Sequence, residues 1–206
     1  MYNYENTLYA KGVRFVCGVD EAGRGPLAGP VVAGAVILNP EINIAGLNDS
    51  KQLSAKQREK LAKLIESDAL AYAVYFVSPE TVDKINIYQA SKLAMMEAIN
   101  KLTIKPEYIL SDAMPLKEIT TPCIPIIKGD TLSASIAAGS ILAKVARDHY
   151  MEEIALLYPG YGFEKHKGYP TKQHLEALNR LGPTAIHRKS YQPVKKMIEQ
   201  QLQWSL

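Results

Sequence analysis

Cysteine is nearly absent from this chain. Cys17 and Cys123 are its only two, far apart and without metal-ligand spacing, which excludes a disulfide framework and leaves two reduced structural thiols as the expectation. Long apolar runs are missing as well. No stretch approaches the roughly 20 residues of a membrane-spanning helix, and the start, Met1-Tyr-Asn-Tyr-Glu-Asn6, has neither the basic opening nor the apolar centre of a signal peptide. These absences point to a cytoplasmic protein with no membrane association. Repeats and low-complexity tracts are lacking too, and 47% hydrophobic against 22% charged residues leaves no room for a long disordered arm. Net charge is small, +3, with a pI near 8.7, which permits a polyanionic partner without requiring one.

What remains is 206 residues able to bury roughly 70% of their unfolded surface. The expectation is one domain over 1–206, with a C-terminal helical segment from about 158 packed on it and no second core. The chain is organised around residues 13–30, Val-Arg-Phe-Val-Cys-Gly-Val-Asp-Glu-Ala-Gly-Arg-Gly-Pro-Leu-Ala-Gly-Pro. Its first half, residues 13–19, is rich in β-branched and apolar residues and predicts a buried strand. Asp20 and Glu21 follow where that strand is expected to run out, and Gly23-Arg24-Gly25-Pro26 continues neither a ladder nor a helix. Two ionised carboxylates half-withdrawn from water repel one another, and a divalent cation relieves them. The turn adds a second signal. Glycines let backbone N–H groups approach a ligand, and the Arg24 guanidinium between them suits a phosphodiester. A dinucleotide fingerprint is set aside, because the third glycine is Gly29 and no ribose-binding acid follows a strand–helix unit.

Further along, residues 31–38 predict a second buried strand in a hairpin with the first. Ser54 caps a helix to about 67 with Gln57 at the capping-box position, just after Lys51. Residues 69–77 predict a strand, 88–102 an amphipathic helix, and 107–112 a short strand ending in a carboxylate, Asp112. Another, 124–128, leads into Gly129-Asp130, and a small-residue-rich helix begins at Thr131, in which Asp148 reads as an ordinary acid. Acids at neighbouring strand ends are placed where α/β sheets collect ligands. Residues 158–171 then read as an aromatic, basic loop able to stack on sugars and meet phosphates. Lys128, Lys144, Lys165, His166, Lys167, Lys172 and His187-Arg188-Lys189 gather in this second half as surface cations. Helices over about 171–181 and from 194 complete the chain.

Four oxygen donors of this kind, Asp20, Glu21, Asp112 and Asp130, suit two hard divalent cations, the arrangement of a phosphodiester nuclease. At this point the residues resemble a known family, bacterial ribonuclease HII. The likeness rests on Gly18-Val-Asp-Glu-Ala-Gly-Arg-Gly-Pro26, Asp49-Ser-Lys51, Ser111-Asp112, Lys128-Gly-Asp130, Ser135 to Asp148 and Tyr161 to Thr171, and it covers nearly the whole chain. Two departures are small: Ala113 stands where the family usually has glycine, and Gly139 where it commonly has alanine.

The resemblance implies a ribonuclease H-like α/β fold, a central five-stranded mixed sheet with helices on both sides and a C-terminal helical segment. It implies an endonuclease hydrolysing the RNA strand of RNA–DNA hybrids and incising 5′ of single ribonucleotides in duplex DNA. Two Mg²⁺ or Mn²⁺ ions and 5′-phosphate and 3′-hydroxyl ends are implied with it, in a monomer. Asp20, Glu21, Asp112 and Asp130 match the metal-binding acids, Gly23-Arg24-Gly25 the turn that reads the ribonucleotide, and Tyr169 the tyrosine at the RNA-to-DNA junction. Lys51, Ser140 and Lys144 match groups that hold flanking phosphates. The alternative is another two-metal nuclease of this fold, of junction-resolvase type.

Overall fold

In the computed structural model, which describes residues 1–203, five strands form one mixed sheet. They are β1 (Val16–Ala22), β2 (Val31–Ile37), β3 (Ala71–Val77), β4 (Tyr108–Asp112) and β5 (Cys123–Ile126), in the order β3-β2-β1-β4-β5. The strands β3, β2 and β1 are antiparallel neighbours, and β4 and β5 add in parallel to β1. The expected ribonuclease H-like sheet is therefore present, with helices on both faces.

β2 is buried along its whole length, as its unbroken apolar run implies. Val31, Ala33, Ala35 and Ile37 face Ala90, Ala94, Met95 and Ala98 of α3 (Pro79–Asn100). On the opposite face, Val36 meets Leu61 and Ile65 of α2 (Ala55–Asp68) and Ala137 and Ile141 of α5 (Ala134–Leu157). Each large side chain buried this way, Ile141 or Met95 for example, stabilises the fold by roughly 1.5–3 kcal/mol. The small residues of α5 let its backbone rest directly on the sheet. A Cβ on Gly34 would strike the Gly139 carbonyl, and one on Gly139 would lie 2.6 Å from the Gly34 oxygen. Glycine rather than alanine at 139 thus matches the closeness of this helix.

Two expectations change, and one helix is added. The first strand runs from Val16 to Ala22, not over 13–19, because β2 supplies a ladder as far as Ala22 opposite Val32. Asp20 and Glu21 are consequently strand residues. The helix expected over 88–102 begins at Pro79, and Asn86 breaks it at φ 65°, ψ 165° while accepting the Gln89 N–H at 3.1 Å. The periodic stretch is its second half. A further helix, α1 (Asn3–Tyr9), lies ahead of the first strand. Its Glu5 is buried and accepts the Ser133 hydroxyl at 2.5 Å and the Ser135 N–H at 2.9 Å, where the positive end of α5 favours a carboxylate. The capping box at Ser54 and Gln57 is formed as read.

Beyond α5 come α6 (Phe163–His166), α7 (Lys172–Leu181) and α8 (Val194–Gln203). They build two smaller apolar clusters against the rest. One joins Phe163, Tyr161 and Ala177 to Ala28 and Met151; the other joins Leu178 and Val194 to Leu27. Residues 27 and 28, just past the glycine turn, are the shared anchor.

Candidate active site

β1 and β4 are adjacent and parallel, with Val19 opposite Ser111, so Asp20 and Asp112 emerge side by side. Asp130 arrives from the short helix α4 (Gly129–Leu132) that follows β5. Carboxylate oxygens of Asp20, Asp112 and Asp130 lie within 4.8 Å of one another. Asp20 is 3% exposed, and burial, then the charges of Glu21 and Asp112, push its pKa well above the usual range. Burial and Asp112 likewise raise Asp130, opposed by the Lys51 ammonium 3.5 Å away. Burial alone would lower Lys51, but Asp130, Asp49 and Asp20 override it and raise it.

Glu21 stands apart from this trio. Its Oε1 accepts from Arg24 Nη1 at 3.2 Å, while its Oε2 is buried without a partner. Burial raises its pKa, with the Arg24 charge working against that rise. Converging oxygens that repel one another, with an orphaned carboxylate oxygen beside them, fit hard divalent cations. The residues present suit such a metal.

A cleft of about 360 Å³ holds the rest. Asp20, Glu21 and Asp112 line it with Gly23, Arg24, Gly25, Lys51, Ser140, Lys144 and Tyr169, so every expected site residue except Asp130 faces one cavity. Ser140 Oγ is 3.0 Å from Ser50 Oγ. Lys144 donates to Asp148 at 2.6 Å, and Arg58 lies 3.5 Å from the other Asp148 oxygen. Asp148 is thus no ordinary helix acid but a clamp on Lys144, whose pKa burial lowers.

The aromatic loop corrects the sequence reading most. Tyr161 and Phe163 stack on each other, buried among His166, His174 and His187. Tyr169 differs. The residue is 39% exposed, its ring lies 5.9 Å from Lys144 Nζ and 5.8 Å from Arg147 Cζ, and its Cε1 sits 3.8 Å from where a Gly25 Cβ would be. Gly25 has room beside it, whereas Gly23, at φ +94°, is packed on the Arg147 side chain. Of the two glycines, Gly25 is the one a ligand can approach.

Sequence reasoning missed two arginines. Arg147 donates to the carbonyls of Ala28, Pro30 and Lys167, each at 3.0 Å, and Arg188 to those of Gly23, Arg24 and Gly29 at 2.6 to 3.1 Å. Both are fully buried, and of the basic run at 187–189 only Lys189 is exposed. For Arg147 a signal existed: it follows Gly139 and Ala143 at four-residue spacing, on the helix face that meets the sheet.

Comparison with known proteins agrees with this geometry. Residues 17–194 match the family model described as Ribonuclease HII. A ribonuclease HII of Syntrophomonas wolfei is 52% identical over 195 residues, covering 95% of this chain and 76% of the relative. One of Bacillus velezensis is 55% identical over 195 residues, with the same shares covered. The crystal structure of ribonuclease H2 from Pyrococcus horikoshii superposes with a TM-score of 0.76 at 30% identity, over 90% of this chain and 98% of that one. With its acids gathered at the ends of β1 and β4 beside a glycine turn, this chain belongs to the ribonuclease HII family and is a ribonuclease H, an endonuclease for the RNA strand of RNA–DNA hybrids.

Proposed function

We propose that Asp20, Glu21, Asp112 and Asp130 hold two Mg²⁺ or Mn²⁺ ions, and that the protein incises 5′ of single ribonucleotides in duplex DNA as well as cutting longer hybrids. When bound, such ions supply Lewis acidity at the scissile phosphate and lower the pKa of the attacking water, leaving 5′-phosphate and 3′-hydroxyl ends. The residues do the rest. Glu21 offers its unpartnered Oε2 as a ligand while Oε1 keeps Arg24, whose remaining guanidinium N–H groups are available to a backbone phosphate of the substrate. Lys51, Ser140 and Lys144 take flanking phosphates. The backbone of Gly23-Arg24-Gly25 tests for the 2′-hydroxyl, the one group separating RNA from DNA at the cut. Tyr169 packs on the following sugar.

The observation that carries this reading is the juxtaposition of Tyr169 and Gly25, the ring 3.8 Å from where a Gly25 Cβ would stand, in a cleft that also holds the acids. A resolvase-type enzyme needs no such pair. Unpaired Cys17 and Cys123 suit the reducing cytoplasm, and one chain supplies every group named, which suits a monomer. The test is cleavage, with Mg²⁺ or Mn²⁺, of a duplex containing one ribonucleotide. Incision at its 5′ side with the stated ends supports the proposal; failure to cut that duplex while cutting an all-RNA hybrid overturns the single-ribonucleotide reading.

A further inference from the structure

His187 and Arg188 take no part in the proposed chemistry, yet they are 1% and 0% exposed and are hydrogen-bonded to both halves of the ribose-reading surface, Arg188 directly and His187 through His174. Arg188 holds the first half. Its planar fork captures the carbonyls of Gly23, Arg24 and Gly29, while its own N–H donates to Leu27 at 2.8 Å. Gly29 N–H returns a bond to Ile186 at 2.9 Å, and Ala28 forms a bridge with His187, so the segment lies along the turn.

His187 holds the second half through a directed chain. Its Nδ1 accepts the Thr184 N–H at 2.9 Å, which leaves Nε2 as the nitrogen carrying hydrogen. That Nε2 is 3.1 Å from Nε2 of His174, whose Nδ1 is 2.9 Å from the Tyr169 carbonyl. Only an N–H can donate to a carbonyl, so the His174 hydrogen sits on Nδ1 and its Nε2 accepts from His187. The order is Thr184, His187, His174, Tyr169.

We propose that the consecutive pair His187-Arg188 is the positioning element that sets the spacing between the Gly23-Arg24-Gly25 turn and Tyr169, and with it the discrimination of ribose from deoxyribose. This rests on the reading of those two elements as the ribose reader. The physical reason is rigidity. Reading one hydroxyl requires both surfaces to be held to within about 0.5 Å, and neither the turn nor the Tyr169 loop is regular structure. A single planar peptide joins the residue that fixes one to the residue that fixes the other.

Two variants test this. Arg188→Lys keeps the charge and loses the fork. Asp83→Ala acts from outside: its carboxylate accepts the N–H groups of Lys189 and Ser190 at 2.8 and 2.9 Å and the Ser190 hydroxyl at 2.6 Å, pinning the residues just after the pair. The readout is kcat/KM on a duplex with one ribonucleotide and on an all-RNA hybrid, with Mn²⁺ affinity and melting temperature alongside. A misplacement on the ångström scale costs up to about a hundredfold, so the ratio of the two activities is expected to fall about tenfold or more for Arg188→Lys, and in the same direction for Asp83→Ala, at unchanged Mn²⁺ affinity. Equal losses on both substrates, or an unchanged ratio, overturn the proposal. Should Arg188→Lys not fold, the Asp83→Ala ratio decides alone. Tyr169→Ala is the control: if it leaves the ratio unchanged, the ribose-reader assignment has failed, whereas a ratio that falls only for Tyr169→Ala removes the positioning role and leaves the reader standing.

Discussion

The backbone N–H of Gly129 donates to Oδ1 of Asp112 at 2.7 Å, tying the end of β4 to the turn that presents Asp130. One carboxylate therefore has two duties: one oxygen holds the turn, and the group as a whole adds its charge to the acid cluster.

Those duties separate in Asp112→Asn. The amide keeps an oxygen to accept from Gly129, so the fold is retained, and loss of one of three converging negative charges leaves the metal-free protein equally stable or slightly more so. Cleavage should fall to near background. Melting curves and cleavage rates measured together check this, and a variant that cuts at the parental rate, or does not fold, is not missing a metal ligand.

Calcium should support substrate binding and little cleavage. Its longer, looser coordination misplaces the water and the scissile phosphate relative to Mg²⁺. Filter binding separates the two steps, and equal turnover with both ions would contradict a site that depends on geometry.

At Tyr169, phenylalanine keeps the ring and loses only the hydroxyl. In the proposed reading that hydroxyl bonds the 2′-hydroxyl of the ribonucleotide; a neutral hydrogen bond is worth about 0.5 to 1.5 kcal/mol net, so Tyr169→Phe should lose roughly 2- to 13-fold in kcat/KM on a single-ribonucleotide duplex. Tyr169→Ala should lose much more there than on an all-RNA hybrid. An alanine variant as active as the parent would leave Gly23 to Gly25 to discriminate alone.

Ala113 sits at φ +49°, immediately after Asp112, with its side chain exposed. A left-handed L-residue costs roughly 1–2 kcal/mol and glycine's extra unfolded-state freedom returns about 0.5–1, so Ala113→Gly should stabilise by about 0.5–1 kcal/mol. The melting temperature in metal-free buffer should rise by about 2 °C for a chain of this size. A fall would mean that the methyl group has packing value that its exposure conceals.

Burial, with His174 close by, lowers the His187 pKa from 6.5 to about 4. The folded state therefore binds fewer protons than the unfolded one between those values, so this contribution is complete above pH 6.5 and is lost as pH falls towards 4, about 3 kcal/mol in all. Denaturant midpoints of the parent and of His187→Gln across that range check the sign. Parallel curves would remove His187 from the acid sensitivity of the fold.

Much of the site is legible in the sequence by itself, because its signals are local in the chain. Apolar runs ending in Asp112 or leading to Asp130, a glycine turn after Asp20-Glu21, and Ser54 three residues before Gln57 are short-range patterns that backbone geometry enforces wherever they occur. What such patterns leave open is which polar group meets which. Glu21 is drawn to Arg24 rather than into the trio, Asp148 clamps Lys144, and Tyr161 and Phe163 pack inward while Tyr169 alone of the three faces the cleft. Arg188 looked like a surface cation because charge in a sequence does not reveal where acceptors lie. Its acceptors are the carbonyls of Gly23, Arg24 and Gly29, from the opposite end of the chain, and burying a guanidinium is tolerable only once folding has brought them together.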